Sequence, residues 1–236
     1  MLSDRICRAA QTAAIAASFV FIFAIVALAQ DRRQNAPGEF DFYVLALSWS
    51  PSYCETVKER TGSSSRPDPQ CSGRPFAFVV HGLWPQYDQG FPSFCQVPAP
   101  RLNREIVGAN LDLMPSPRLI FREWDRHGTC SGLSAHAYFE AVRKARAVVK
   151  IPPEFLTPAE STSVSPDDIA AAFMRVNSGL SRQGLAVACD STRLTEIRLC
   201  MTKDFAFRDC AGVAGHACSR DKIAMPVLHA DVNGMK

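Results

Sequence analysis

The stretch EFDFYVLALSWS, residues 39–50, sets the plan of the chain. It is rich in aromatic and branched side chains and apolar at neighbouring positions, so it reads as a strand buried on both faces. PFAFVV, 75–80, reads as a second buried strand that delivers His81 to a turn made by Gly82 and Pro85. LAVAC (185–189), LTEIRLCM (194–201) and FAFRDC (205–210) read as later strands. In the middle one, Thr195, Ile197, Leu199 and Met201 alternate with Glu196, Arg198 and Cys200. Helical patterns lie between. Ser116 and Pro117 open a helix that runs to about His127 and stops at Gly128. Ser134 caps the next, where Tyr138, Ala141, Val142, Ala145, Val148 and Val149 share one face until Pro152 and Pro153 end it. Ser165-Pro166-Asp167-Asp168 starts a third. Residues 51–74 and 85–117 are rich in proline and poor in pattern, and read as loops. This order predicts an α+β fold: a single domain with an antiparallel β-sheet flanked by helices.

The chain has 236 residues, 47% hydrophobic and 21% charged, which suits one globular domain with a sizeable core. A net charge of +3 gives no argument for a nucleic-acid partner, so any such function has to come from a site. Arg5 and Arg8 precede an apolar run from Ala13 to Ala29 that closes on Ala27-Leu28-Ala29. That pattern predicts a signal peptide over residues 1–29, the alternative being an uncleaved anchor. Cleavage leaves a flexible polar segment, 30–38, and a domain over 39–236. The mature protein is then expected to be secreted or periplasmic, monomeric and without stable membrane association. Of nine cysteines, Cys7 lies in the leader. The other eight, in an oxidising compartment, predict a domain stapled by four disulfides, with roughly a hundred possible pairings. There is no C-x-x-C pair, which argues against a zinc ribbon.

FREWDRHGTC, 121–130, carries the chemistry. On a helix from Pro117, residues Glu123, Arg126 and His127 are spaced i, i+3 and i+4 and share a face, with Arg122 beside them. Trp124 points away and is free to pack inward. A solvated, salt-bridged face would account for the charges alone. It does not account for FVVHGLWPQY, 78–87, where a second histidine stands three residues before Trp84. Two imidazoles, with ordinary pKa values of about 6.5, serve as acid and base near neutral pH. Guanidiniums match phosphate oxygens, and an exposed tryptophan offers a stacking face for a nucleobase. RNA supplies its own nucleophile in the 2′-hydroxyl, and this chemistry needs neither metal nor cofactor. The residue types leave the acid and base roles exchangeable.

HGLWPQ (81–86) and EWDRHGTC (123–130) resemble the two signature segments of the ribonuclease T2 family, which read HGLWP and roughly HEW-x-KHGTC. WSPSYC at 49–54 and the strand–cysteine hairpin at 194–210 are similar too. The resemblance implies an endoribonuclease acting on single-stranded RNA with little base preference, through a 2′,3′-cyclic phosphate to 3′-phosphate ends. It implies His81 as general acid, His127 as general base and Glu123 as a transition-state group. Arg126 stands at the family's lysine, Trp84 at a base-stacking position and Gln86 at a base-contacting one. Arg122 stands where many members have a third, phosphate-contacting histidine, the one departure. The resemblance also implies the pairs Cys54–Cys71, Cys95–Cys130, Cys189–Cys218 and Cys200–Cys210. His136, His216 and His229 match neither signature and read as structural or surface residues. A catalytically impaired RNA- or protein-binding relative would be signalled by a lost histidine or glutamate, and neither is lost. The H-E-x-x-H spacing of a metallohydrolase is missing.

Overall fold

The structure, a computed structural model, describes residues 35–61, 68–72 and 76–227. The expected leader, residues 30–34 and His229 lie outside them. The main sheet has four antiparallel strands in the order β2-β1-β5-β4. These are β1 (Phe42–Trp49), β2 (Phe78–Gln86), β4 (Leu185–Cys189) and β5 (Leu194–Met201). A small second sheet pairs β3 (Thr162–Val164) with β6 (Ile223–Met225). The helices are α1 (Ser50–Thr61), α2 (Arg104–Ala109), α3 (Pro117–Arg126), α4 (Ala135–Val148), α5 (Pro166–Val176) and α6 (Ala211–Ala214). The α+β reading therefore holds. Ser116, Ser134 and Ser165 each cap a helix, accepting from the backbone N–H three residues on. Among the described residues no helix is long and apolar enough to cross a membrane.

β1 is apolar on both faces for two different reasons. Tyr43, Leu45, Leu47 and Trp49 face the main core, with Ile197 and Leu199 of β5 and with Ile120, Trp124, Tyr138 and Phe173 from α3, α4 and α5. Each such fully buried side chain contributes about 1.5–3 kcal/mol. Phe42 and Val44 face the other way and form a separate small cluster with Cys200 and Cys210, against which Trp84 packs. On β5 the same alternation sends Ile197, Leu199 and Met201 into the main core. Glu196, Arg198 and Cys200 therefore fall on the opposite side of the strand.

Four expectations are corrected. Residues 51–61 are helical, not loop. Pro51 falls in the first turn, where its missing N–H costs nothing, and the Cys54–Cys71 bond ties the helix to the next segment. Residues 104–109 inside the second expected loop also form a helix, capped by Asn103, whose Oδ1 accepts from Ile106 N at 2.8 Å. FAFRDC makes only an isolated bridge from Phe207 to Met201, because Phe205 turns the chain at φ +65°. Residues 35–38 are not free: Gly38 N donates to Cys130 O at 2.9 Å and Asn35 N donates to Tyr87 Oη at 3.2 Å.

The four disulfides are Cys54–Cys71, Cys95–Cys130, Cys189–Cys218 and Cys200–Cys210. Cys95–Cys130 closes the longest loop, with a sequence separation of 35. By chain entropy it contributes about 4 kcal/mol, against about 3 kcal/mol for the 17-residue separation of Cys54–Cys71. Replacing both members of each pair with alanine should therefore lower the urea midpoint more for Cys95/Cys130. An equal or reversed order would show that native packing, not loop closure, sets the effect.

Candidate active site

β2 does not end at His81, as the sequence suggests, but runs through it to Gln86. Ala46 pairs with Gly82 and Leu47 with Val80, so His81 is the extra residue of a β-bulge. A bulge re-aims its side chain relative to the pleat. The His81 ring leaves the strand row, with its side chain 37% exposed, and turns toward α3 and β5. Its Nε2 lies 3.6 Å from Glu123 Oε1 and its Nδ1 lies 3.5 Å from Glu196 Oε2.

α3 brings the second set. Trp124 is buried and donates from Nε1 to Pro100 O at 2.6 Å, which fixes the rotation of the helix. That rotation carries Glu123 inward, only 3% exposed, and Trp84 Nε1 donates to its Oε2 at 2.7 Å. A hydrogen bond to a charged group is worth about 1.5–3 kcal/mol net. His127 caps the helix and stacks on Trp84, with ring centroids 5.2 Å apart. Both signature glycines are dictated by close approach. A Cβ on Gly82 would sit 2.1 Å from Glu123 Oε2, and one on Gly128 2.4 Å from the Trp124 ring.

These residues line one cavity of about 550 Å³. His81, Trp84, Gln86, Arg122, Glu123, Arg126 and His127 all border it, so Arg122 does reach the site. Phe42 and Val44 of β1 line it as well, with Val213 and the exposed His216 on another wall. Trp84 is half-buried rather than open, flanked by His127 and with the Arg198 guanidinium 5.5 Å from its ring. The more open aromatic is Phe91, 49% exposed, with Arg126 at 6.0 Å from its ring. His136 lies exposed on α4. Sequence reasoning missed Arg198 and Phe91, which line the cavity, and Glu196, which lies behind it against His81. For Glu196 and Arg198 the signal was present, as the polar half of an alternating strand. Among the described residues, no group of three or more His, Cys, Asp or Glu could hold a metal ion.

The two imidazoles are driven in opposite directions. His127 is pushed down to about 3, first by burial, then by the Arg126 guanidinium and by His81. Burial also works to lower His81, but the carboxylates of Glu196 and Glu123 outweigh burial and Arg198, and its pKa is raised. Burial raises Glu123, with Glu196 adding to it, against His81, the Trp84 hydrogen bond and Arg122. The cavity thus holds an imidazole at the helix end that gives up its proton early and one on the bulge that keeps its proton to higher pH.

The model of the ribonuclease T2 family matches residues 40–210, which takes in both histidine segments and three of the four disulfide-bonded strands and loops around them. The chain belongs to the ribonuclease T2 family. This T2 family member is 44% identical over 111 residues to a ribonuclease of Aeromonas hydrophila, a match covering 46% of each chain. It is 28% identical over 207 residues to Ribonuclease DdI of Dictyostelium discoideum, covering 78% of this chain and 84% of that one. The solved structure of RNase NT in complex with 5′-AMP superposes with a TM-score of 0.63 at 25% identity, over 80% of this chain and 100% of that one. The matches to the Aeromonas protein and to a probable ribonuclease of Haemophilus influenzae span about half the length of those relatives.

In this T2 family member the Gly82 site offers a direct test. Gly82→Ala should push Glu123 off Trp84, moving the Trp84 indole N–H resonance, and should cost about 1–3 kcal/mol of stability through overpacking. An unmoved indole resonance would mean that the two signature segments are not in contact through this bond.

Proposed function

We propose that this protein is an exported endoribonuclease that cleaves single-stranded RNA, with little base preference, by metal-independent transesterification. The observation that carries the reading is that one cavity holds both imidazoles, His81 between two carboxylates and His127 beside a guanidinium, so that their proton affinities are driven apart. Neutral His127 takes the proton of the 2′-hydroxyl as O2′ attacks phosphorus. Protonated His81 gives its proton to the departing 5′-oxygen, leaving a 2′,3′-cyclic phosphate. In the second step His81 takes a proton from water, His127 returns one to O2′, and the ring opens to a 3′-phosphate. The half-buried guanidinium of Arg126 and the exposed one of Arg122 face the charge that builds on the phosphorane. Glu123, buried against the Trp84 indole and 3.6 Å from His81 Nε2, is the transition-state group: it lines the cavity and orients the His81 ring beside the reacting phosphate. Trp84, Phe91 and Gln86 provide the walls for a base, and stacking is tolerant of base identity. Four disulfides fit an oxidising destination, secreted or periplasmic. The domain acts as a monomer after its leader is removed.

An RNA oligonucleotide should be cut in excess chelator, while the same strand with a 2′-deoxy sugar at the cleavage position should survive. Loss of cutting in chelator would sink the metal-free mechanism. His81→Ala and His127→Ala should each lower kcat by about 10²–10⁴. Near-normal turnover in either would remove that histidine from the chemistry.

The sign of the pH dependence follows from the two shifts. Activity needs His127 neutral, which holds above about pH 3, and His81 protonated, which persists above the usual imidazole range. The kcat/KM profile should therefore stay level on the mildly acidic side, and its alkaline limb should lie above the ordinary imidazole pKa. A profile that falls steeply between pH 6 and 5 would contradict the assignment of His127 as base.

A further inference from the structure

Glu196 is a buried carboxylate on β5, 5% exposed, on the strand face opposite the main core. Its Oε1 lies 3.5 Å from Arg198 Nε and its Oε2 lies 3.5 Å from His81 Nδ1. Neither Glu196 Oε2 nor Arg198 Nε makes a hydrogen bond. A carboxylate so buried costs several kcal/mol in lost hydration unless its partners return it. A purely structural role would be met by Arg198 alone, since the two share a strand face, but here the second oxygen is spent on the bulged histidine. The bulge makes this possible. Gly82 and Arg198 both pair with Ala46, and Glu196 pairs with Ser48, so the bulge and Glu196 flank the same short stretch of β1.

His81 is thus held from both edges: Nδ1 by Glu196, Nε2 by Glu123 from α3. Trp84 meets the ring edge-on at 5.3 Å, Arg198 lies beyond Glu196, and Arg122, Arg126, His127 and His216 are the other titratable or charged groups bordering the cavity. We infer that Glu196 is a positioning residue for the reaction: it holds the Nδ1–H of His81 and so leaves Nε2 to hand its proton to the leaving oxygen. After that transfer His81 is neutral with its remaining proton on Nδ1. Nε2 is then free to accept a proton from water in the second step, so the proton count closes over the cycle. Catalytic hydrogen bonds are commonly long before substrate binds, which accommodates the 3.5 Å separation. The raised proton affinity of His81, to which Glu196 contributes more than Glu123, agrees with the geometry. The inference rests on the reading of His81 as proton donor.

The test uses the full mature protein and two readouts. In Glu196→Gln, the alkaline limb of kcat/KM and the NMR titration of His81 should both move to lower pH. Its kcat at neutral pH should fall about tenfold or more, part of the ~10²–10⁴ a general acid provides, with KM little changed. Glu196→Asp should restore part of the profile. A titration and limb that stay in place, with or without lost turnover, would reduce Glu196 to packing and overturn the inference. Should Glu196→Gln fail to fold, the tautomer of neutral His81 in the native protein decides. Nitrogen shifts should show the proton on Nδ1, and a proton on Nε2 would overturn the inference. Full turnover in His81→Ala would instead sink the reading beneath it, while the titration and tautomer would still report the Glu196 contact.

Discussion

The structure turns on one buried carboxylate. Glu123 leaves α3 toward the sheet, accepts the Trp84 indole N–H and flanks His81, so a single side chain joins the two signature segments. Everything around it is shaped by that approach. Gly82 lacks a side chain because Glu123 occupies the space a Cβ would need. Trp124 anchors the helix on its other side through Pro100 O, and the Cys95–Cys130 bond ties down the turn that follows His127. A helix free to rotate by one residue would swap a core tryptophan for a carboxylate, at a cost the fold could not absorb.

The same approach sets the electrostatics. Burial lowers the proton affinity of both imidazoles, yet the result differs because the neighbours differ. His127 faces a guanidinium and another imidazole, so burial is reinforced and its pKa drops to about 3. His81 faces two carboxylates, so burial is overcome. Two chemically identical rings, with centroids 5.2–5.3 Å from one indole, come to hold their protons differently. Trp84 contacts both of them, one edge-on and one stacked.

Much of the fold was legible in the sequence. Serine caps and apolar spacing place α3, α4 and α5, since a cap and a 3.6-residue stripe are local signals. β1 is legible as buried on both faces, because neither face can tolerate charge. Helix α1 was not legible: a polar, proline-bearing segment with no apolar stripe looks like a loop, and packing and the Cys54–Cys71 bond hold it in place. Helix α2 has an Asn103 cap but only six residues, too few to show an apolar stripe. FAFRDC has strand composition, but a positive φ at Phe205 and the Cys200–Cys210 bond bend it out of the sheet.

For the site, the sequence by itself determined the cast: two histidine segments, a carboxylate, guanidiniums and an indole, with the helical spacing that sets Glu123, Arg126 and His127 on one face. Residue types and local periods carry that much. Only the tertiary structure decided their surroundings. The bulge at His81 depends on pairing with β1, since an extra residue has no meaning until a partner strand fixes the register. Glu196 and Arg198 lie far along the chain and reach His81 and the cavity, respectively, only because β5 lies beside β1. Which imidazole is neutral follows from burial and neighbouring charge, quantities that exist only once distant segments meet.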